Sequence, residues 1–85
     1  MGSYSVRIIS TAEKELKASG KTERLKLIGR IQALTHAPRP AGCEKLSGEE
    51  RYRVRHGDWR IVYSIDDAAK VVLIVKIGHR REVYR

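Results

Sequence analysis

Along "YSVRII", Tyr4 to Ile9, the apolar residues Tyr4, Val6 and Ile8 alternate with the polar Ser5 and Arg7, a period of two that predicts a first strand. The pattern then changes. Ser10 stands three residues before Glu13, the spacing of a capping box, and a short helix over Thr11 to Ala18 follows until Gly20 stops it. From about Thr22 a second helix is expected, because Leu27, Ile28, Ile31 and Leu34 fall at i, i+1, i+4 and i+7 on one stripe. Leu25 widens that stripe, and Pro38 and Pro40 end the helix. The stretch "RPAGCEKLSGEE" reads as loop, with Leu46 as its anchor into the core.

After Arg51 strict alternation returns. "RYRVRH" and "WRIVYSID" are separated by Gly57-Asp58, and a Gly-X pair suits a two-residue type II′ hairpin. That turn predicts a register: His56 against Trp59, Arg55 against Arg60, Val54 against Ile61, Arg53 against Val62 and Tyr52 against Tyr63. Tyr52, Val54, Ile61 and Tyr63 then form an apolar face, with Trp59 at its edge by parity, and Arg51, Arg53, Arg55 and Arg60 share the other. "DDAAK" turns the chain, with Asp66 and Asp67 as turn residues. Val71 to Ile77, apolar on both faces, is expected at the centre of the sheet. The order βααβββ predicts an α+β fold, with the two N-terminal helices packed on one face of a small, mainly antiparallel sheet.

Length and charge narrow the partners. Eighty-five residues form a single domain, 1–85, that buries roughly 60 to 65% of the surface of its unfolded chain; Met1-Gly2-Ser3 reads as an expression scar and is left out of the fold reading. The net charge of +8 implies a polyanionic partner. Its excess is uneven, with nine basic and six acidic residues up to residue 50 and nine basic and four acidic beyond it. No run approaches the ~18 apolar residues of a membrane span, and the lone Cys43 forms no internal disulfide, which fits a reducing cytoplasm. His36, Cys43, His56 and His79 lack metal-ligand spacing and the glycines are isolated, so neither a metal nor a small-molecule cofactor is expected. His36 is explained by the helix dipole and solvent.

The arginine face carries the candidate chemistry. Like charges directly opposed in a hairpin destabilise it by about 0.2 to 1 kcal/mol, so Arg55 across from Arg60 needs a reason. One explanation is bland: the guanidinium groups splay into water while their stems cover apolar surface. The other is a phosphate-bearing ligand, which arginine suits through its planar two-pronged donor set and its ability to stack on bases. The chain then closes on "GHRREVYR", and Arg80 and Arg81, just past the last strand, are placed to reach the same region.

"YRVRHGDWRIVYSIDDAAKVVLIVKIGHRREVYR" closely resembles the C-terminal part of the RelE toxins of bacterial type II toxin–antitoxin systems, and the βααβββ order extends the resemblance over essentially the whole chain. The resemblance implies a ribosome-dependent endoribonuclease that cuts messenger RNA in the ribosomal A site, and a cognate RelB-like antitoxin that suppresses it. It also implies roles: the family's two basic positions before the hairpin turn fall on Arg53 and Arg55, its next strand's arginine on Arg60, its C-terminal arginine on Arg80 and its terminal tyrosine on Tyr84. Arg51, Lys76 and Arg81 have no counterpart among the catalytic positions and are assigned to RNA binding. The family often carries lysine where Arg53 and Arg55 stand, and arginine is a poor proton acceptor, so the general base is left open, with His79 the best-placed titratable candidate and Glu82 and Tyr84 behind it. Two alternatives remain: a ParE-like poison of DNA gyrase, which shares the topology, and a non-catalytic basic RNA-binding module.

Overall fold

The computed structural model describes residues 3–46 and 50–79. Strand β1 (Ser5–Ile8) leads into helices α1 (Ser10–Ala18) and α2 (Lys21–Ala33), followed by β2 (Glu44–Leu46), β3 (Arg51–His56), β4 (Trp59–Asp66) and β5 (Val71–His79). The sheet runs β1-β5-β4-β3-β2, with β1 parallel to β5 and every other pair antiparallel. The helices pack on this sheet and on each other, as expected for the α+β class.

The β3–β4 hairpin has the predicted register at every position from His56↔Trp59 to Tyr52↔Tyr63. Gly57 has φ +59° while Asp58 stays out of the positive region, the type II′ pattern in which only the first turn residue is left-handed. Tyr52, Val54, Ile61 and Tyr63 are accordingly buried and Trp59 packs at the core edge. The helices contribute Ala12 and Leu16 from α1 and Leu27, Ile31 and Leu34 around α2, each set at helical spacing, and Ile28 packs partly buried against them.

Five expectations need correction. First, the 43–46 region is not all loop: Glu44–Leu46 adds an edge strand antiparallel to β3, while Leu46 lies outside the core and Cys43 packs against it instead. A three-residue strand carries too little alternation to read in isolation; its pairing with β3 makes it a strand. Second, the middle strand is β4, with β5 between it and β1. Third, β5 is not equally buried on both faces, since Val72, Ile74 and Ile77 are fully buried and Val71, Leu73 and Val75 only half so. The spacing of three between Ile74 and Ile77 marks a bulge: Val62 pairs with Lys76 and Tyr63 with Ile74, so Val75 is skipped and the following residues are turned back toward the helices. Fourth, Leu25 is 61% exposed and does not widen the stripe. Fifth, the capping box does not form, because α1 starts one residue early, with Ile9 at the cap and no side-chain cap bond.

Two polar devices close the sheet. Glu15 on α1 accepts the Ile77 N–H (3.0 Å) and the Lys76 ammonium (2.7 Å), so a carboxylate satisfies β5 beyond the point where β1 ends. At the other end Arg39 grips both Asp67 oxygens (3.2 and 2.9 Å), donates to the Tyr52 hydroxyl (3.0 Å) and reaches Glu50 (3.4 Å). Tyr4 also donates to Asp67 (2.7 Å). Arg39 thus ties the loop after α2 to β3 and the β4–β5 turn, and Asp67 brings in Tyr4 just before β1. Among the described residues no helix is long and apolar enough to cross a membrane.

Replacing the fully buried Leu27 with Ala should lower unfolding free energy by about 2 to 5 kcal/mol, whereas Leu25→Ala should change it by less than about 0.5 kcal/mol. Urea unfolding of the two variants side by side tests which residue belongs to the core.

Candidate functional site

The hairpin register that buries the tyrosines also turns Arg51, Arg53 and Arg55 of β3 and Arg60 of β4 away from the helices. Cross-strand rows order this face. Glu44, Arg53, Val62 and Lys76 stand opposite one another across β2, β3, β4 and β5, and the adjoining row is Arg55, Arg60 and Gly78. Gly78 brings no side chain to the position facing Arg60.

These arginines are not equally exposed. Arg60, expected on an exposed plate, is 6% exposed and lies beside the buried Val62, so the base of the face is closed. The Arg55 side chain is 53% exposed and that of Arg53 17%. The described residues enclose no pocket, and Arg51 and Arg55 are the exposed arginines of the face.

The edge strand that sequence reading missed brings a carboxylate onto the face. Arg53 donates from Nε (3.1 Å) and Nη2 (3.0 Å) to Glu44 Oε1, and Arg55 Nη2 lies 3.6 Å from the same oxygen. Arg53 above all, with Arg55 and Arg60 adding to the field, holds the Glu44 carboxyl below the usual carboxylate range. An acid between two proline- and glycine-punctuated stretches gives no sign of a site, and only the β2–β3 pairing brings it to Arg53. Glu44 also answers the question of the opposed Arg55 and Arg60, since it puts a negative charge beside the cluster.

The other sequence-predicted residues are placed as follows. Lys76 sits in the Arg53 row, but its ammonium is engaged by Glu15. Arg51 is exposed at the start of β3, across from Leu46 and Ser64. His79 ends β5 opposite Trp59, meets that ring edge-on at 5.7 Å between centroids, and lies 3.9 Å from an Asp58 carboxylate oxygen. It therefore shares the Trp59 side of the hairpin, one strand position from the arginine row. Arg80, Arg81, Glu82 and Tyr84 lie outside the described residues. Among the described residues no three His, Cys, Asp or Glu side chains converge to hold a metal ion.

The Tyr52–Tyr63 pair beneath the face is structural. The rings stack at 5.9 Å, and Tyr63 donates its hydroxyl to the Pro38 carbonyl at 2.7 Å. Burial, the main cause, pushes its phenol well above the ordinary tyrosine range, so it stays protonated and holds the loop after α2.

A fold of two helices on this sheet, with a basic hairpin face, is that of a known toxin class. The family described as the ParE toxin of the type II toxin-antitoxin system parDE matches residues 6–84. Toxin RelG of Mycobacterium tuberculosis is 31% identical, over 96% of this chain and 97% of that protein. Among solved structures, the RelBE2 toxin–antitoxin complex of M. tuberculosis superposes with a TM-score of 0.82 at 26% identity, covering 92% of this chain and 99% of the matched one. The archaeal RelE–RelB complex from Pyrococcus horikoshii gives 0.80 at 27% identity, with coverage of 94% and 98%. The isolated E. coli RelE toxin gives 0.79 at 29% identity, with coverage of 95% and 90%. The chain belongs to the RelE/ParE superfamily of toxins from type II toxin–antitoxin systems.

The electrostatics can be tested by titration. Arg53→Ala should let the Glu44 carboxyl rise toward its ordinary value, as followed by carbon-detected NMR. Asp67 is likewise held low, chiefly by its bonds from Arg39. Its contribution to stability is complete above the unfolded carboxylate value and is lost as pH falls through the lower folded value. Asp67→Asn should therefore flatten the acid side of the stability profile, measured by thermal unfolding between pH 2 and 6.

Proposed function

We propose that this toxin is a ribosome-dependent endoribonuclease that cleaves messenger RNA in the A site and so inhibits translation. The observation that carries the reading is the convergence of Arg53, Arg55 and Arg60 on one sheet face, in the positions to which the RelE resemblance assigns catalysis. RNA cleavage by the 2′-hydroxyl needs that hydroxyl deprotonated, the charge on the pentacoordinate phosphorane stabilised and the leaving 5′-oxygen protonated. Arginines meet the second need directly through paired N–H donors. Arg80 would add a further donor and Tyr84 a ring on which a base stacks, with Arg51, Lys76 and Arg81 contributing to RNA binding. The described residues form no pocket that would orient a flexible RNA; the ribosome would supply that positioning.

A RelB-like antitoxin is the expected partner, since relatives of this fold were solved in RelBE2 and RelE–RelB complexes. With a charge of +8, the toxin favours an acidic or amphipathic segment that covers the arginine face or displaces the C-terminal stretch. The cytoplasm, where ribosomes and messenger RNA meet, is the compartment this activity requires. A second reading has its own support: the matching family is described by its ParE members, which points to DNA gyrase as target.

Primer extension on a message under translation, run beside a gyrase supercoiling assay, separates the two. New codon-positioned ends with unimpaired supercoiling support the nuclease; gyrase inhibition with an intact message supports the poison. Within the nuclease reading, Arg60→Ala and Arg80→Ala should each slow single-turnover cleavage about 100-fold or more while ribosome association persists. Because Arg60 is buried, circular dichroism must first show that its variant is folded. Full cleavage by a folded Arg60→Ala, Arg80→Ala double variant would remove both residues from the mechanism.

A further inference from the structure

Arginine does not take up a proton at neutral pH, so Arg53, Arg55 and Arg60 leave the attacking hydroxyl without a base. Among the described residues one carboxylate, Glu44, contacts them. Glu44 is placed across from Arg53 by the β2–β3 ladder, and all its contacts fall on Oε1: Arg53 Nε at 3.1 Å, Arg53 Nη2 at 3.0 Å and Arg55 Nη2 at 3.6 Å. Oε2 has no partner among the described residues, and the side chain is 44% exposed. Among the described residues, Glu15 is committed to the β5 edge and Glu50 and Asp67 to Arg39.

We propose that Glu44 is the general base of this toxin, accepting the 2′-hydroxyl proton on Oε2 while Arg53 and Arg55 hold Oε1. The proposal rests on the nuclease reading above. As the proton passes to Oε2, the 2′-oxygen forms its bond to phosphorus and the bond from phosphorus to the 5′-oxygen breaks. The leaving oxygen takes a proton from water, and Glu44 returns its own to solvent. The products are a 2′,3′-cyclic phosphate and a 5′-hydroxyl, an isomerisation of the chain that needs no co-reactant.

The surroundings suit this role. With Arg53 and its neighbours holding the carboxyl below its usual range, Glu44 is ionised at neutral pH, the state a base requires, although a weakly basic one. A phosphate on the same arginines brings negative charge that offsets their field and raises the proton affinity of Glu44. The effect grows as the phosphorane gains charge, so the base strengthens when the proton must move. The competing role is simple charge relief, in which Glu44 only tempers the arginine cluster. That role makes the opposite prediction, because removing the carboxylate would then speed phosphate capture and cleavage.

The test uses the full chain, programmed ribosomes and single-turnover conditions, with ribosome binding and circular dichroism measured for each variant. Glu44→Gln is isosteric and leaves the main-chain pairing of β2 intact; it should lose about 100-fold or more in rate, the scale of general-base catalysis, with binding unchanged or tighter. Glu44→Asp, which keeps the carboxylate, should fall between. Glu44→Ala should recover part of the rate in added formate, which a merely structural residue would not. The Gln deficit should persist on a message whose scissile 5′-oxygen is replaced by sulfur, a leaving group that needs no acid. Cleavage by Glu44→Gln at or above the wild-type rate overturns the proposal in favour of charge relief and leaves the nuclease reading standing. A folded, ribosome-binding Glu44→Ala that formate does not restore overturns it in favour of positioning. A wild-type chain that cuts no message overturns both readings together.

Discussion

The pairing of Arg55 with Arg60, and of Val54 with Ile61 beside it, is the constraint on which the rest of this domain depends. Side chains alternate along a strand with a period of two, so a slip of one residue would carry Arg53 and Arg55 under the helices and put Tyr52 and Val54 into water. The protein holds the register from both ends of the hairpin. At the tip Gly57 takes the left-handed φ that a two-residue turn demands. Farther along, Tyr52 stacks on Tyr63, and the Tyr63 hydroxyl is held by the Pro38 carbonyl. Because Pro38 lies in the loop after α2, the bond that locks the register also fixes the route by which the chain reaches β2.

That route matters because β2 has little stability of its own. Three residues at a sheet edge are marginal without tertiary support, and they are retained by the β3 ladder, by Glu44 with Arg53 and by Lys45 with Glu50 (2.9 Å). The Arg39 network stands behind them, tying the same loop to Asp67, Tyr52 and Glu50. Surface ion pairs taken singly add little to stability. Here they converge on one loop, and their effect is to choose which residue of a short segment faces the arginines. The hydrophobic core sets the fold; the polar network sets the position of Glu44.

The contrast between what the chain revealed and what it concealed follows the same line. The hairpin could be read residue by residue, since two alternating runs joined by Gly57-Asp58 leave almost no freedom, and α2 could be read from Leu27, Ile31 and Leu34. The bulge at Val75 could not, because Val71 to Val75 are apolar throughout and a skipped residue changes no hydropathy pattern. Leu25 looked like part of the stripe and is exposed, since neither helix nor sheet covers that side of α2. The four arginines of the candidate face were visible as a parity argument, whereas the burial of Arg60 depends on its neighbours in the finished sheet. Glu44 escaped for the reason β2 did: it becomes part of the face only through a pairing nine residues away in sequence from Arg53.

A clustered positive charge and the lack of a pocket among the described residues divide the work this domain can do. Arg53, Arg55 and Arg60 are held by a rigid hairpin, so their donors need little reorganisation when charge develops on a bound phosphate, the condition under which electrostatic stabilisation is most effective. The described residues form no enclosing pocket and so do little by themselves to restrict a flexible RNA to the in-line geometry that 2′-attack requires, a restriction that can supply a large part of a barrier's reduction. Under the proposed activity the two contributions are therefore divided between molecules, with charge and proton acceptance on the toxin and substrate geometry on the ribosome. The division gives a physical reason for a small basic toxin to spare RNA at large: an arginine face binds any phosphate chain, but only one held by a second scaffold would present its 2′-hydroxyl to the carboxylate beside Arg53.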